Sequence, residues 1–269
     1  MTSPPKIAVL MPVFNPGNEL LETLASIRAQ TLPATLFLVD DGSMPKPNYA
    51  ALTAGMDVRI IALPQNLGIT GALNAGLSEI LQGDFDYVAR VDNGDINMPN
   101  RFAAQIDYLR QHPDMSLVSA YVRYEYPLTG LKVDWRGPAD AKGCLRALRY
   151  NAPLTHAAIM FRVAFLRELK AYPTQYPAAE DYAMEFWAAR NGHRFANVPE
   201  MLYRTIEMSQ SISGGSRVKQ LQSRLRLQRD NADWLNIHSY LGMARTMALL
   251  ALPITPMRKI RQLMRGLNS

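Results

Sequence analysis

The chain has 269 residues, 48% of them hydrophobic and 19% charged, with a formal net charge of +6. That is a globular composition, long enough to bury a substantial core in one large domain or two small ones. The single cysteine, Cys144, excludes a disulfide scaffold and any multi-cysteine zinc site, and fits a reducing cytoplasm. The opening Met1-Thr2-Ser3-Pro4-Pro5-Lys6 lacks the basic-then-apolar layout of a signal peptide, so a cytoplasmic location is expected.

Residues 7–13 are a short continuous apolar run, the pattern of a strand buried on both faces. A turn at Phe14-Asn15-Pro16-Gly17 leads to Asn18, a candidate N-cap for a helix with Leu20, Leu21, Leu24 and Ile27 on one face. Residues 35–39 form a second buried strand that stops at Asp40-Asp41-Gly42-Ser43. A third strand at 58–63 is followed by Asn66-Leu67-Gly68 and a helix over 70–81. Residues 87–91 are a fourth strand, and 102–109 lie on the helix after it. Strands alternating with helices predict a mostly parallel sheet with right-handed crossovers. Beyond residue 113 the rhythm changes. Residues 117–126 and 157–161 read as strands, 128–144 as a turn-rich stretch carrying Trp135, 180–190 as a helix and 218–234 as a charged amphipathic helix. The apolar stretch at 240–254 is interrupted by Arg245 and falls short of the roughly 20 residues that span a bilayer.

The loops after the four N-terminal strands should share one edge of the sheet, where open α/β folds bind ligands. They bring Asn15, then Asp40 and Asp41, then Asn66 and Gly68, then Asp92 and Asp95. In Arg90-Val91-Asp92-Asn93-Gly94-Asp95 two carboxylates stand three residues apart at the end of a strand. Acidic oxygens there suit a hard divalent cation that holds a diphosphate, while Asp, Asn and Gly are also the ordinary residues of a tight turn. No Gly-x-Gly-x-x-Gly follows the first strand and no Gly-Lys-Ser/Thr loop is present, which argues against a Rossmann dehydrogenase and a P-loop enzyme.

Pro12-Val13-Phe14-Asn15, Asp40-Asp41-Gly42-Ser43, Asn66-Leu67-Gly68 with Asn74-Ala75-Gly76, and the 90–95 segment occur in the order and spacing of the family 2 glycosyltransferases. Asn151-Ala152-Pro153 with His156, Glu180-Asp181, and Tyr203-Arg204 ahead of Ser211-Ile212-Ser213 also resemble that family, over roughly residues 5 to 215. The resemblance implies an inverting enzyme with the GT-A fold: a Rossmann-like α/β architecture with a mostly parallel central sheet, followed here by a basic helical C-terminal extension. It divides the chain into a nucleotide-sugar-binding half (1–112), an acceptor and catalytic-base half (113–215) and the extension (216–269).

The roles it implies fall on individual residues. Pro12, Val13 and Asn15 would border the nucleobase and ribose, and Asp41 would accept a hydrogen bond from the base; uracil N3–H is a donor that cytosine lacks. Asn66, Gly68, Asn74 and Arg90 would belong to the sugar-nucleotide site, with Gly68 equally a plain turn residue and Asn74 equally a helix polar group bonded to a loop. Asp92 and Asp95 would hold a divalent cation (Mn or Mg) and the donor diphosphate. Gly94 stands where the family commonly has its metal-binding carboxylate. Asp181 would be the general base, deprotonating the acceptor hydroxyl opposite the leaving nucleotide; without the resemblance Glu180-Asp181 is also a pair that stabilises a helix start. Less specific assignments are His156 and Glu180 near the diphosphate or acceptor, Trp135 as a sugar-stacking platform, and Arg204 pairing with phosphate or an internal carboxylate.

The implied reaction is transfer of a hexose from a nucleotide-sugar, UDP-linked, to a saccharide or lipid-linked saccharide in bacterial polysaccharide, lipopolysaccharide or glycolipid assembly. Two rival readings are a nucleotidyltransferase, which should carry a basic Gly-rich loop absent from 12–17, and a catalytically silent nucleotide-sugar-binding protein. The C-terminal segment, with Met243, Met247, Leu249 and Leu250 beside Arg258, Lys259, Arg261 and Arg265, suits an anionic membrane surface and so a peripheral position on the inner face of the cytoplasmic membrane; a solvated helix or an oligomer contact is the other reading. No zinc-finger or RNA-recognition signature accompanies it, so nucleic acid is not an expected partner.

Overall fold

The computed structural model describes residues 3–206 and 217–251. In chain order the elements are β1 (Ile7–Val13), α1 (Glu19–Arg28), β2 (Thr35–Asp40), the short α2 (Tyr49–Leu52), β3 (Val58–Ala62), α3 (Gly68–Leu81), β4 (Tyr87–Arg90), β5 (Asp95–Asn97), α4 (Arg101–Gln111), β6 (Met115–Tyr126), β7 (Leu131–Trp135), α5 (Ala141–Leu148), β8 (Met160–Arg162), α6 (Val163–Leu169), α7 (Glu180–Arg190), β9 (Arg194–Ile206), α8 (Arg217–Asp230) and α9 (Ile237–Ala251). One sheet runs in the order β3-β2-β1-β4-β8-β6-β9-β5, with β7 paired to β6. Strands β1 to β4 are mutually parallel, β6 and β9 are parallel, and β8, β7 and β5 enter antiparallel.

The apolar run of β1 is split by the pleat. Ala8 and Leu10 pack toward Leu73, Leu77 and Ile80 of α3, while Ile7, Val9 and Met11 pack toward Leu20 and Leu24 of α1 and Phe102 and Ile106 of α4. Both faces are therefore covered by helices, which is why the central strands read as continuous apolar runs. Each buried side chain of this size contributes about 1.5–3 kcal/mol. Gly76 lets α3 lie close on the sheet: a Cβ there would stand 2.4 Å from Leu10 Cδ1 and 2.7 Å from Val39 Cγ2.

Several local expectations are corrected. Asn18 precedes α1 but its side chain caps nothing, and Leu21 is exposed rather than on the packed face. The stretch 128–144 contains β7, which forms a hairpin with β6, and the start of α5. Residues 157–161 are not one strand: a 3₁₀ turn (His156–Ala158) precedes the short β8. The long β9 carries no clean two-residue period, because two residues, Pro199 and Glu200, stand between the partners of the neighbouring Ala120 and Tyr121. Residues 211–213, 253–254 and the basic cluster at 258–265 lie outside the described residues.

Candidate active site

The loops at the carboxyl ends of β1, β2, β3 and β4 are tied to one another by side chains named above. Asn15, at φ 45°, donates its backbone N–H to Ser43 Oγ at 2.8 Å, and its Oδ1 accepts the Met44 N–H at 2.9 Å. Asp40 Oδ1 accepts the Ser43 N–H at 3.0 Å, within the β2 loop. Asp41 Oδ1 accepts the Leu67 N–H at 2.7 Å, which fastens the β3 loop to the β2 loop, and Asn66 Oδ1 accepts the Gly68 N–H at 3.1 Å. Gly68, at φ +75° with open space around its Cβ position, starts α3 beside these groups. Pro12 and Val13 are buried beneath them at the end of β1.

The segment after β4 is a turn and also part of this rim. Asp95 N–H donates to Asp92 C=O at 3.3 Å, and Gly94 has φ +92°, a conformation in which an aspartate would be strained. Helix α1 anchors the turn: Gly94 N–H donates to Thr23 Oγ1 at 2.9 Å, and Asn93 Nδ2 to Glu19 Oε1 at 2.9 Å. Asp92 keeps 41% of its side chain in solvent and pairs with Arg90, whose guanidinium is buried. Asp95 was expected beside Asp92 as a second ligand. It sits instead in β5, 6% exposed, hydrogen-bonded with Tyr203 and Thr205. Burial, and then the charge of Asp92, push its carboxyl up to about 8.

A second buried guanidinium, Arg101, braces this floor. It donates to Gln105 Oε1 at 3.0 Å, to the Arg90 carbonyl at 2.9 Å, to the Ile159 carbonyl at 3.2 Å and to Asn97 Oδ1, and it lies 4.8 Å from the Tyr203 ring centroid. Tyr203 hydroxyl in turn accepts the Asp92 N–H at 3.2 Å.

Within electrostatic reach of Asp92 is the acidic pair that opens α7. Glu180 is 8% exposed, and burial followed by the neighbouring Asp181 charge raises its carboxyl to about 7. Burial raises Asp181 as well, against hydrogen bonds from the helix start and the charges of Arg224 and Arg90. The helix N-terminus favours ionisation, yet burial outweighs it. Arg90 acts on Asp92, Glu180 and Asp181, and Asp92 acts on Glu180, so these groups form one electrostatic unit. His156 Nε2 meets the Tyr172 hydroxyl at 3.1 Å. Burial, then Arg90, hold the His156 imidazole well below its ordinary range, so it is neutral near pH 7.

Asn74 and Arg204 take the structural alternative of the two open to each. Asn74 donates Nδ2 to the Tyr172 carbonyl at 3.2 Å, and its Oδ1 accepts the Tyr172 N–H at 2.7 Å. It is the helix polar group bonded to a loop, holding Tyr172 under His156. Arg204 pairs with an internal carboxylate, Glu125, at 3.5 Å. Trp135 is half-buried against a cluster of Val122, Ala157, Ala158 and Tyr203. Sequence reasoning did not single out Tyr172, Arg101 or the buried Glu185 one turn below Asp181. Tyr172 is fixed by Asn74 from a distant helix, and Arg101 reaches the distant Ile159 carbonyl besides its neighbours Asn97 and Gln105, links that local pattern does not mark. A groove of about 470 Å³ lined by Lys142, Leu145, Arg146 and Arg149 lies on the outer face of α5, away from this rim.

Among the described residues no group of three His, Cys, Asp or Glu could hold a metal ion by itself. With Gly94 lacking a carboxylate and Asp95 buried in β5, Asp92 is the carboxylate of this turn exposed to a cation. Such a donor set fits a cation bound jointly by one carboxylate and the oxygens of a diphosphate.

The family described as glycosyl transferase family 2 matches residues 8–169, more than half of the chain. The chain belongs to that family. It is therefore a glycosyltransferase, and the nucleotidyltransferase reading is set aside. Among its relatives, the amylovoran biosynthesis glycosyltransferase AmsE of Erwinia amylovora is 30% identical over 229 residues, which are 82% of this chain and 84% of that one. The UDP-Gal:alpha-D-GlcNAc-diphosphoundecaprenol beta-1,3-galactosyltransferase of Escherichia coli is 26% identical, over 74% of this chain and 73% of that one. The crystal structure of S. aureus TarS 1-349 superposes with a TM-score of 0.65 at 18% identity, covering 90% of this chain and 70% of that chain. A Pyrobaculum calidifontis mannosyltransferase in complex with GDP-Man and Mn2+ gives 0.64 at 17% identity, covering 93% and 75%. These likenesses confirm the GT-A fold.

Proposed function

We propose that this glycosyltransferase moves a hexose from a UDP-sugar to a hydroxyl of a lipid-linked saccharide, with inversion at the anomeric carbon, in bacterial polysaccharide, lipopolysaccharide or glycolipid assembly. The observation that carries this reading is the electrostatic unit of Asp92, Glu180 and Asp181, on all of which the buried Arg90 acts. The names of the E. coli relative and of TarS structures in complex with UDP and UDP-GlcNAc support a UDP donor, and the former supports a diphosphate-linked acceptor.

Pro12, Val13 and Asn15 border the nucleobase and ribose in this reading, and Asp41 accepts uracil N3–H beside its bond to Leu67. Asn66 and Gly68 let the β3 loop approach the donor. Asp92 would hold a divalent cation together with the diphosphate; when bound, the cation neutralises charge developing on the leaving group. Asp181 takes the proton of the acceptor hydroxyl as that oxygen bonds to the anomeric carbon. The bond from that carbon to the diphosphate oxygen breaks, and its electron pair leaves with UDP. Neutral His156 orients an acceptor or phosphate oxygen by hydrogen bonding rather than by charge.

A thermal-shift series over nucleotide-sugars tests the donor. A UDP-sugar at 100 times its Kd with Mn²⁺ is expected to add about 2.7 kcal/mol, a rise of roughly 5–10 °C in Tm. Asp92→Ala should remove the metal-dependent part. Equal stabilisation with and without Mn²⁺ would overturn the metal role, and preference for another nucleotide the uridine assignment.

We also assign the C-terminal segment to an anionic membrane surface. No helix among the described residues is long and apolar enough to cross a membrane. Trp234, Leu235, Ile237, Leu241 and Met247 are exposed, however, alongside a basic α8. The protein should bind phosphatidylserine vesicles at low salt, be released by high salt, and lose binding on truncation after Ser239; indifference to both treatments would refute the assignment.

A further inference from the structure

Helix α5 packs Ala141, Cys144 and Leu148 inward and leaves Lys142, Leu145 and Arg146 exposed, with Arg149 just after its last turn. A merely solvated helix face ordinarily mixes both signs of charge. This face carries cations alone. It forms one wall of the groove of about 470 Å³, which Arg194, Asn236 and His238 also line. Among the described residues no Asp or Glu lines that groove. The acids at its margin are committed: Asp140 accepts the Gly143 N–H, Asp114 pairs with Arg194 at 2.6 Å, and Asp233 with Arg149 at 3.7 Å. Lys142 and Arg146 have no side-chain hydrogen bond or ion pair among the described residues. The other wall is the turn between α8 and α9, which side chains hold to α5. Arg149 donates to Ser239 Oγ at 3.0 Å, and the Tyr150 hydroxyl meets His238 Nδ1 at 2.5 Å. In that turn Asn236 and His238 line the groove, while Trp234, Leu235 and Ile237 are exposed, Leu235 completely. The turn is braced in this shape: Leu235 N–H donates to Asp233 Oδ1 at 3.2 Å, and the Tyr240 hydroxyl donates to the Trp234 carbonyl at 2.8 Å. Large apolar side chains held together in solvent mark a contact surface.

We infer that this groove receives the headgroup phosphate of an anionic phospholipid while Trp234, Leu235 and Ile237 enter the bilayer interface beside it. Lys142 and Arg146 stand one turn apart on one helix face, close enough to share one phosphate, which Arg146 can grip with its planar fork. Tryptophan favours the depth of the headgroups, and the flanking leucine and isoleucine bury apolar area at the acyl boundary. A free phosphate would satisfy the cations and leave the three apolar side chains in water. A lipid satisfies both. The inference rests on the reading that the protein docks on an anionic membrane, and it puts the docking face on the folded domain, where α5 meets the α8–α9 turn.

The test is co-sedimentation of the full chain with mixed phosphatidylserine and phosphatidylcholine vesicles at low salt. Lys142→Gln combined with Arg146→Gln should weaken binding about 30-fold, the loss expected for two cations at such a surface, with the thermal midpoint unchanged. Lys219→Gln combined with Arg226→Gln makes the same change of charge on α8 and should weaken binding by a smaller factor. Brominated phosphatidylcholine in the vesicles should quench tryptophan fluorescence in wild type and fail to do so in Trp234→Phe. Two results overturn the inference and leave membrane docking standing: equal weakening by the two charge pairs, or quenching that is absent from wild type or survives Trp234→Phe. Absence of any vesicle binding by wild type overturns the membrane reading and the inference with it.

Discussion

Replacing Asp181 with Asn is expected to lower kcat by about 10²- to 10⁴-fold, the range lost when a positioned general base is removed. UDP-sugar binding should persist, because in the proposed reading the donor is held by the loops after β1 to β4 rather than by Asp181. The wild-type pH profile carries a second signature. A base acts only when deprotonated, and burial raises the Asp181 carboxyl above an ordinary aspartate. Activity should therefore fall as pH drops through an acidic limb that lies above that of a solvent-exposed carboxylate. Glu180, raised to about 7 by burial and by Asp181, is coupled to it, so the limb belongs to the pair. Glu180→Gln removes one charge from the pair and should move the limb to lower pH. Steady-state rates between pH 4.5 and 9 for the three proteins decide the matter. Full turnover by Asp181→Asn would transfer the base role to Glu180, and a limb unmoved by Glu180→Gln would refute the coupling.

The largest stability effect is expected at Arg101. Its side chain is fully buried and joins α4 to β4, β5 and the 3₁₀ turn through Asn97, Gln105 and the carbonyls of Arg90 and Ile159. Burial lowers its pKa to about 10, so it remains charged at neutral pH. Arg101→Leu would fill much of the volume but leave those acceptors without a donor in a dry interior. The expected loss is about 3–5 kcal/mol, a large share of the 5–15 kcal/mol that holds a typical domain. Arg101→Lys should recover little of it, since one ammonium cannot reach acceptors arranged around a planar fork. Urea unfolding midpoints with unchanged m-values measure this; a loss below about 1 kcal/mol would show that the network is not what holds the floor. The same variants should weaken donor binding, because the Arg90 carbonyl that Arg101 holds belongs to the backbone leading into Asp92.

The rim beyond that backbone is where sequence and structure meet most closely. Asn15, Asp41, Asn66, Gly68 and Asp92 all lie at the carboxyl ends of the first four strands, as alternating strands and helices require. The 90–95 segment is a tight turn, as its residue types require, and it leaves the Asp92 carboxylate partly in solvent. Asp95 shows the limit of that reading. Two carboxylates three residues apart look equivalent in sequence, yet the antiparallel pairing of β5 with β9 turns Asp95 inward while Asp92 stays in solvent.

The sequence by itself determined the order of the central strands' elements, the shared edge of their loops and the acidic pair at the head of α7. These follow from short-range causes: apolar periodicity, turn chemistry and residue types at fixed spacing. Only the tertiary structure decided that Asn74 clamps Tyr172, that Arg101 reaches across to the Ile159 carbonyl, and that β9 threads beside β6. Each of those depends on a partner separated by tens of residues, brought together by packing and buried where a lone polar group must find a partner. Local pattern carries no record of such pairings.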